Sequence, residues 1–148
     1  MNLIDALLGE HAALYALFDH VQRFVAGWDL AQAKQAGSML ESVLALHAQF
    51  EDELLFDTLV PEKASLAETL AAMRAEHRHI ASSLSTLQEV EEEHNGRLLL
   101  RHVVELAREH FAVEERVLFS LAEQDLGPAM LNELGNRWAK ARQLRIAG

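Results

Sequence analysis

The sequence predicts an all-α protein, an up-down-up-down four-helix bundle with a fifth C-terminal helix. Of the 148 residues 50% are hydrophobic, only 7 are Gly and 2 are Pro, and Ala, Leu and Glu dominate, which is the composition of helices and not of sheets. Apolar residues recur with helical spacing in five segments separated by turn signals. Connections this short force neighbouring helices to run antiparallel. The length fits one domain with one substantial core; the bundle takes residues 1–125 and the fifth helix, 126–148, packs on the same domain.

The first segment carries Ile4, Leu7, Leu8, His11, Leu14, Tyr15, Phe18 and Val25 on one stripe and stops around Gly27. Asp29 caps the second, whose stripe is Leu40, Val43, Leu44, His47, Phe50, Glu51, Leu54 and Thr58, ending at Pro61. Ser65 and Glu68 have capping-box spacing at the start of the third, which presents Leu66, Leu70, Met73, His77, Ile80, Leu84 and Leu87. Asn95-Gly96 is a turn or helix-stop signal. The fourth stripe is Leu99, Val103, Leu106, His110, Val113, Glu114, Val117 and Leu121, closed by Asp125-Leu126-Gly127. Pro128 suits the first position of a fifth helix with Met130, Leu131, Leu134, Trp138 and Ala141 on one face. That helix is expected to lie across the bundle or to mediate a homodimer. The two halves also echo one another, with Glu10-His11 and Glu76-His77 opening them and HAQFEDELLF (47–56) and HFAVEERVLF (110–119) closing them.

The chain has no Cys, which excludes disulfides, thiolate-held zinc or iron–sulfur clusters and thiol catalysis. Any metal must use nitrogen and oxygen ligands. A formal charge of −10 argues against a general affinity for nucleic acid, which rests on clustered Lys and Arg. The exception is the segment after Pro128, where Arg137, Lys140, Arg142 and Arg145 outnumber Glu133; it is expected to dock on the acidic body of the protein. The N-terminus lacks a basic leader, and no stretch reaches ~18 uncharged apolar residues. A soluble, cytoplasmic protein with no membrane partner is therefore expected.

Six ionisable residues fall on the apolar stripes: His11, His47, Glu51, His77, His110 and Glu114. A lone His-x-x-x-Glu pair is weak evidence, because 8 His among this many Glu give about one such spacing by accident. Placement carries the weight. Residues i and i+4 share a helix face, so His47 with Glu51 and His110 with Glu114 each present a nitrogen and a carboxylate to one point. At ~1.5 Å rise per residue the four histidines also agree in depth to about 3 Å across each turn. A core this polar without an ion would carry several kcal/mol of desolvation cost, so metal binding is the economical account.

His20, His79, His94 and His102 fall off the stripes and are expected to be solvated. Glu10, Glu76 and Glu109 each precede a proposed ligand, and a role in accepting the second imidazole N–H is conceivable. Surface charge is the preferred reading for all three, Glu76 being the best of them for the second role. A ferritin-like carboxylate site fails, because its Glu-x-x-His motifs would both lie on the third helix, as Glu76 with His79 and Glu91 with His94, away from the apolar stripe. Zinc-protease motifs, phosphate-cradling glycine loops and a Ser-His-Asp set are absent.

The ordered set His, His-x-x-x-Glu, His, His-x-x-x-Glu, with its surroundings LLGEH, HAQFEDELLF, AEHRHI and HFAVEERVLF, resembles the hemerythrin-like, or HHE cation-binding, family over roughly residues 3–125. The resemblance implies two iron ions joined by a bridging oxo or hydroxo group, with the histidines as terminal ligands and Glu51 and Glu114 bridging; zinc or manganese would also accept this ligand set. Oxygen-carrying hemerythrins use a fifth histidine in a His-x-x-x-His pair, and Ala81 stands at that position here. An open coordination position is the consequence, with O2, nitric oxide or peroxide as the small ligand. Tyr15, the pseudo-symmetric counterpart of Ala81, is expected to fill the core, with contact to the metals as the minority alternative. The functions implied are binding or sensing of O2 or nitric oxide or the handling of iron and reactive oxygen, or else a redox enzyme acting on peroxide or nitric oxide or repairing iron–sulfur centres. A structural bundle with adventitious metal is the third reading.

Overall fold

Reciprocal capping starts the first two helices. In the protein's computed structural model, which describes residues 1–59 and 64–144, α1 (Leu3–Phe24) begins at Asn2, whose side chain accepts from the Asp5 backbone N–H at 2.9 Å while the Asp5 carboxylate faces the Asn2 N–H. A 3₁₀ turn at Val25–Gly27 ends it. Asp29 and Gln32 cap α2 (Leu30–Phe50) in the same way. α3 (Ala64–Glu89), α4 (Glu93–Val113) and α5 (Phe119–Ala141) complete the chain, with no strand among the described residues. α2 packs on α3 and α4, and α4 on α1 and α3.

Two π turns were not foreseen. α2 runs into one at Glu51–Phe56 and α4 into another at Glu114–Leu118, each opening on a glutamate of the predicted site. A π turn accommodates one additional residue per turn and so rotates the helix beyond it. The predicted stripe therefore slips by one past each turn. Leu59, Leu118 and Ala122 are buried where Thr58, Val117 and Leu121 were expected, and Val117 is 40% exposed.

Other boundaries differ too. Ser65 does not cap α3, because Ala64 is already helical; the expected end of the second helix at Pro61 lies outside the described residues. Asn95-Gly96 does not end a helix but sits in the first turn of α4, the chain having reversed at residues 90–92. Gly96 is there for proximity, since a Cβ on it would lie 2.7 Å from Leu30 Cδ1. Leu8 on α1 is exposed, as is Ala141, while Ala139 takes the buried place on the last helix.

The helix after the second π turn continues to residue 126 and breaks at Gly127, whose φ of 70° and ψ of 169° suit only glycine. Pro128 restarts it as sequence reasoning requires. The limb 128–141 lies against α1, burying Leu131, Leu134, Trp138 and Ala139 in a cluster with Leu3, Ile4 and Leu7. Contact is close at Gly135, where a Cβ would stand 2.5 Å from Met1 O and 2.9 Å from the Asn2 carbonyl carbon. Backbone cannot swing aside as a side-chain tip can, so Gly135→Ala is expected to destabilise the protein by about 1–2 kcal/mol, even with alanine's ~1 kcal/mol helix advantage. A thermal melt of the metal-free variant should show Tm lowered by roughly 3–8 °C; an unchanged Tm would mean that the two helices are not in this contact.

Candidate metal centre

The apolar core is divided. One cluster holds Leu3, Leu7, Leu54, Phe56, Leu118 and Trp138, the other Leu14, Phe18, Leu40, Leu84, Leu100 and Phe111. Among the described residues the only buried polar or charged ones are His11, His47, Glu51, His110 and Glu114. His77, the sixth predicted residue, is 9% exposed. The chain thus brings all six to the layer between the two clusters.

They form two imidazole pairs around two shared carboxylates. His11 Nε2 lies 3.0 Å from His47 Nε2. Glu51 approaches this pair at 3.7 and 3.4 Å, and Glu114 stands 3.4 Å from His11 Nε2. In the other half, His77 Nε2 lies 3.3 Å from Glu51 and 3.6 Å from Glu114, and His110 Nε2 is 2.8 Å from Glu114. Ligand atoms of His11, His47, Glu51 and Glu114 fall within 4.8 Å of one another, as do those of Glu51, His77, His110 and Glu114. Both glutamates belong to both sets because α2 and α4 pack directly together and each opens a π turn at its glutamate.

The hydrogen bonding is incomplete in a way that a cation would resolve. Both oxygens of Glu51 and of Glu114, together with His77 Nε2 and His110 Nε2, are buried without a hydrogen-bond partner, the short His110–Glu114 approach lacking the necessary alignment. Leaving such groups unmade costs about 1–3 kcal/mol each. A nitrogen and carboxylate donor set converging on two points fits two transition-metal or zinc ions.

The opposite edge of each imidazole meets another acid. His47 Nδ1 is 2.6 Å from Glu10, His110 Nδ1 2.6 Å from Glu76 and His11 Nδ1 2.8 Å from Glu115; His77 Nδ1 lies 3.3 Å from Asp52 without hydrogen-bond alignment. The pattern has two-fold pseudo-symmetry. The acid preceding the first histidine of each half serves the second histidine of that half, and the acid next after each shared glutamate serves the first histidine of the other half. The surface-charge reading of Glu10 and Glu76 is thereby overturned, since both accept from ring N–H groups and fix the ligating edge. Glu109 is exposed. Asp52 and Glu115 escaped sequence reasoning; the doublets Glu51-Asp52 and Glu114-Glu115 were the available signal.

Without an ion the cluster is an interlocked set of charges. Burial opposes the protonated imidazole, but Glu114 and Glu51 raise His11 from 6.5 to about 9, Glu51 and Glu10 raise His47 to about 10, and Glu114 and Glu51 raise His77 to about 9; His110 is raised as well, chiefly by Glu114. Burial likewise opposes the Glu51 and Glu114 carboxylates, and for Glu114 the Glu51 charge does too, yet the imidazoles hold both below the usual range.

Tyr15 packs edge-on against Phe18 and Phe111, its ring centroid 6.3 Å from that of His11. Burial and the neighbouring Glu115 carboxylate push its phenol up to about 12. His20, His79, His94 and His102 are exposed. A cavity of about 370 Å³ between α2 and α3 reaches His47, His77 and His110 and is lined by Ala45, Ala48, Ala81 and Leu84. Ala81, where a fifth histidine would stand, forms part of its open side.

A helical bundle whose core is interrupted by four imidazoles around two shared carboxylates defines a metal-binding bundle protein. The chain belongs to the hemerythrin HHE cation binding domain family, whose model matches residues 2–122. Among curated proteins and among solved structures the chain has no significant match. No described helix is long and apolar enough to cross a membrane.

Proposed function

We propose that His11 and His47 hold one iron ion and His77 and His110 a second, with Glu51 and Glu114 shared between them, and that the protein binds or senses O2 or nitric oxide, or handles iron and reactive oxygen. The cavity at Ala81 carries this reading, because it gives a small molecule a path to three of the four imidazoles. Bound iron supplies ligand binding and one-electron chemistry at a position the protein leaves open. The chain's own residues do the rest. Glu10, Glu76 and Glu115 hold three imidazoles in one orientation, Phe111 stacks on His11 at 3.8 Å, and the flanking leucines keep bulk water from the shared carboxylates.

A redox enzyme is the second reading, favoured by the cavity's size. A diatomic ligand needs little more room than a water molecule's ~30 Å³, and about 370 Å³ accommodates a larger reactant. Metal analysis of protein purified without added metal, followed by optical titration with nitric oxide, tests the first reading; turnover with an electron donor separates the second. Ala81→Leu is expected to keep two ions per chain while weakening nitric oxide binding at least about tenfold, a loss of ~1.4 kcal/mol. Unchanged binding would mean that the ligand does not use this cavity, and an absence of metal even after reconstitution would end both readings.

A further inference from the structure

Glu10 differs from its pseudo-symmetric counterpart. Glu76 is 48% exposed and its other oxygen has no partner among the described residues, whereas Glu10 is 12% exposed and fully engaged. Trp138 Nε1 donates to Glu10 Oε1 at 2.9 Å, and the Arg142 guanidinium donates to the same oxygen through Nε at 2.8 Å and through its terminal nitrogen. Glu10 Oε2 is left for His47 Nδ1. Arg142 is itself seated, its guanidinium 4.8 Å over the Phe50 ring, one turn beyond His47 on α2. Trp138 is 7% exposed, and its helix is anchored on α1 through Gly135.

The asymmetry extends to the first histidine of each half. His11 Nδ1 is hydrogen-bonded to Glu115, whereas His77 Nδ1 has no aligned partner and its nearest acid, Asp52, faces Arg74 Nη1 at 3.3 Å. One imidazole pair is therefore held on both members and latched from outside the bundle; the other is held on one member by a solvent-exposed acid. Ligands fixed before binding lose less freedom when the ion arrives. Trp138, on α5, and Arg142, its C-cap, both lie beyond residue 122, where the family match ends.

We propose that Trp138 and Arg142 are positioning residues for the metal centre, fixing His47 through Glu10 so that the His11/His47 half takes up the first ion and the His77/His110 half the second. The inference rests on the two-metal reading above. Its test is anaerobic calorimetric titration of the metal-free full-length protein with Fe(II), with ions counted by elemental analysis. Two resolved steps are expected in the unaltered chain. Trp138→Phe, which keeps the ring and removes only the donor N–H, combined with Arg142→Gln, should weaken the tighter step about 10- to 100-fold and leave the weaker one in place. Arg142→Lys should restore part of that loss, Glu76→Gln should weaken only the other step, and Lys140→Ala, exposed on the same helix, should change neither. Two ions bound with one common affinity, equal weakening of both steps by the Trp138/Arg142 pair, or a Glu76 effect on the same step as theirs would overturn the latch while leaving the metal reading standing. Failure of the unaltered chain to bind any ion would overturn both.

Discussion

Glu51→Gln is expected to collapse the centre from two ions per chain to at most one, and to weaken whatever binding survives by more than about 100-fold. Acids that only orient a ligand are worth about 10–100-fold in affinity, and Glu51 does more than orient. Its oxygens face His11, His47 and His77 at 3.3 to 3.7 Å, so it serves both imidazole pairs. Glutamine keeps the volume but removes the charge and turns one arm into an N–H donor, which repels a cation. In the metal-free protein the cost should be smaller, about 1–3 kcal/mol. Stranding a buried charge outright costs about 3–5 kcal/mol, but here the imidazoles can shed their protons instead. His47, raised to about 10 chiefly against burial by Glu51, should titrate lower in the variant. Elemental analysis and NMR titration of the imidazoles measure these effects; a variant that kept two ions at unaltered affinity would show that Glu51 is not shared between them.

Removing the metal should have the largest effect on stability, and one that depends on pH. An ion present at about 1,000 times its Kd stabilises the folded state by ~4 kcal/mol, or roughly 8–16 °C in Tm for a chain of this size. His11, His47 and His77 sit above their ordinary 6.5 when metal-free, so the stabilisation their protonated forms provide is complete below about pH 6.5 and fades as pH rises through about 9 to 10. Glu51 and Glu114 are depressed from 4.5, so theirs holds above that value and fades as pH falls. The metal-free protein is accordingly most stable between roughly pH 4.5 and 6.5, and loses the histidine contribution progressively from there to about pH 9 to 10. Metal uptake runs the other way, because each imidazole must release a proton to bind. Affinity should climb as pH rises from about 6.5 to about 10, with net proton release on metal uptake at pH 7. The Tm gap between loaded and metal-free protein should widen over the same interval. A gap independent of pH would mean that these imidazoles are not the ligands.

The sequence by itself determined the bundle and the six inward-facing residues. Helical periodicity and caps such as Asp29 are local properties, written in side chains three or four positions apart, and ionisable groups on an apolar stripe conflict with the pattern around them. The restart at Pro128 was equally legible, whereas Ala81 in the place of a fifth histidine could be read only through the family resemblance. What only the tertiary structure decided depends on contacts between distant segments. The π turns at Glu51 and Glu114 leave no mark in the spacing, yet they rotate the helix beyond them and move burial from Val117 to Leu118. Glu10 meets His47 across 37 positions and Arg142 across 132. A surface acid and a buried positioning acid look alike in a sequence, because what separates them is the partner that packing supplies.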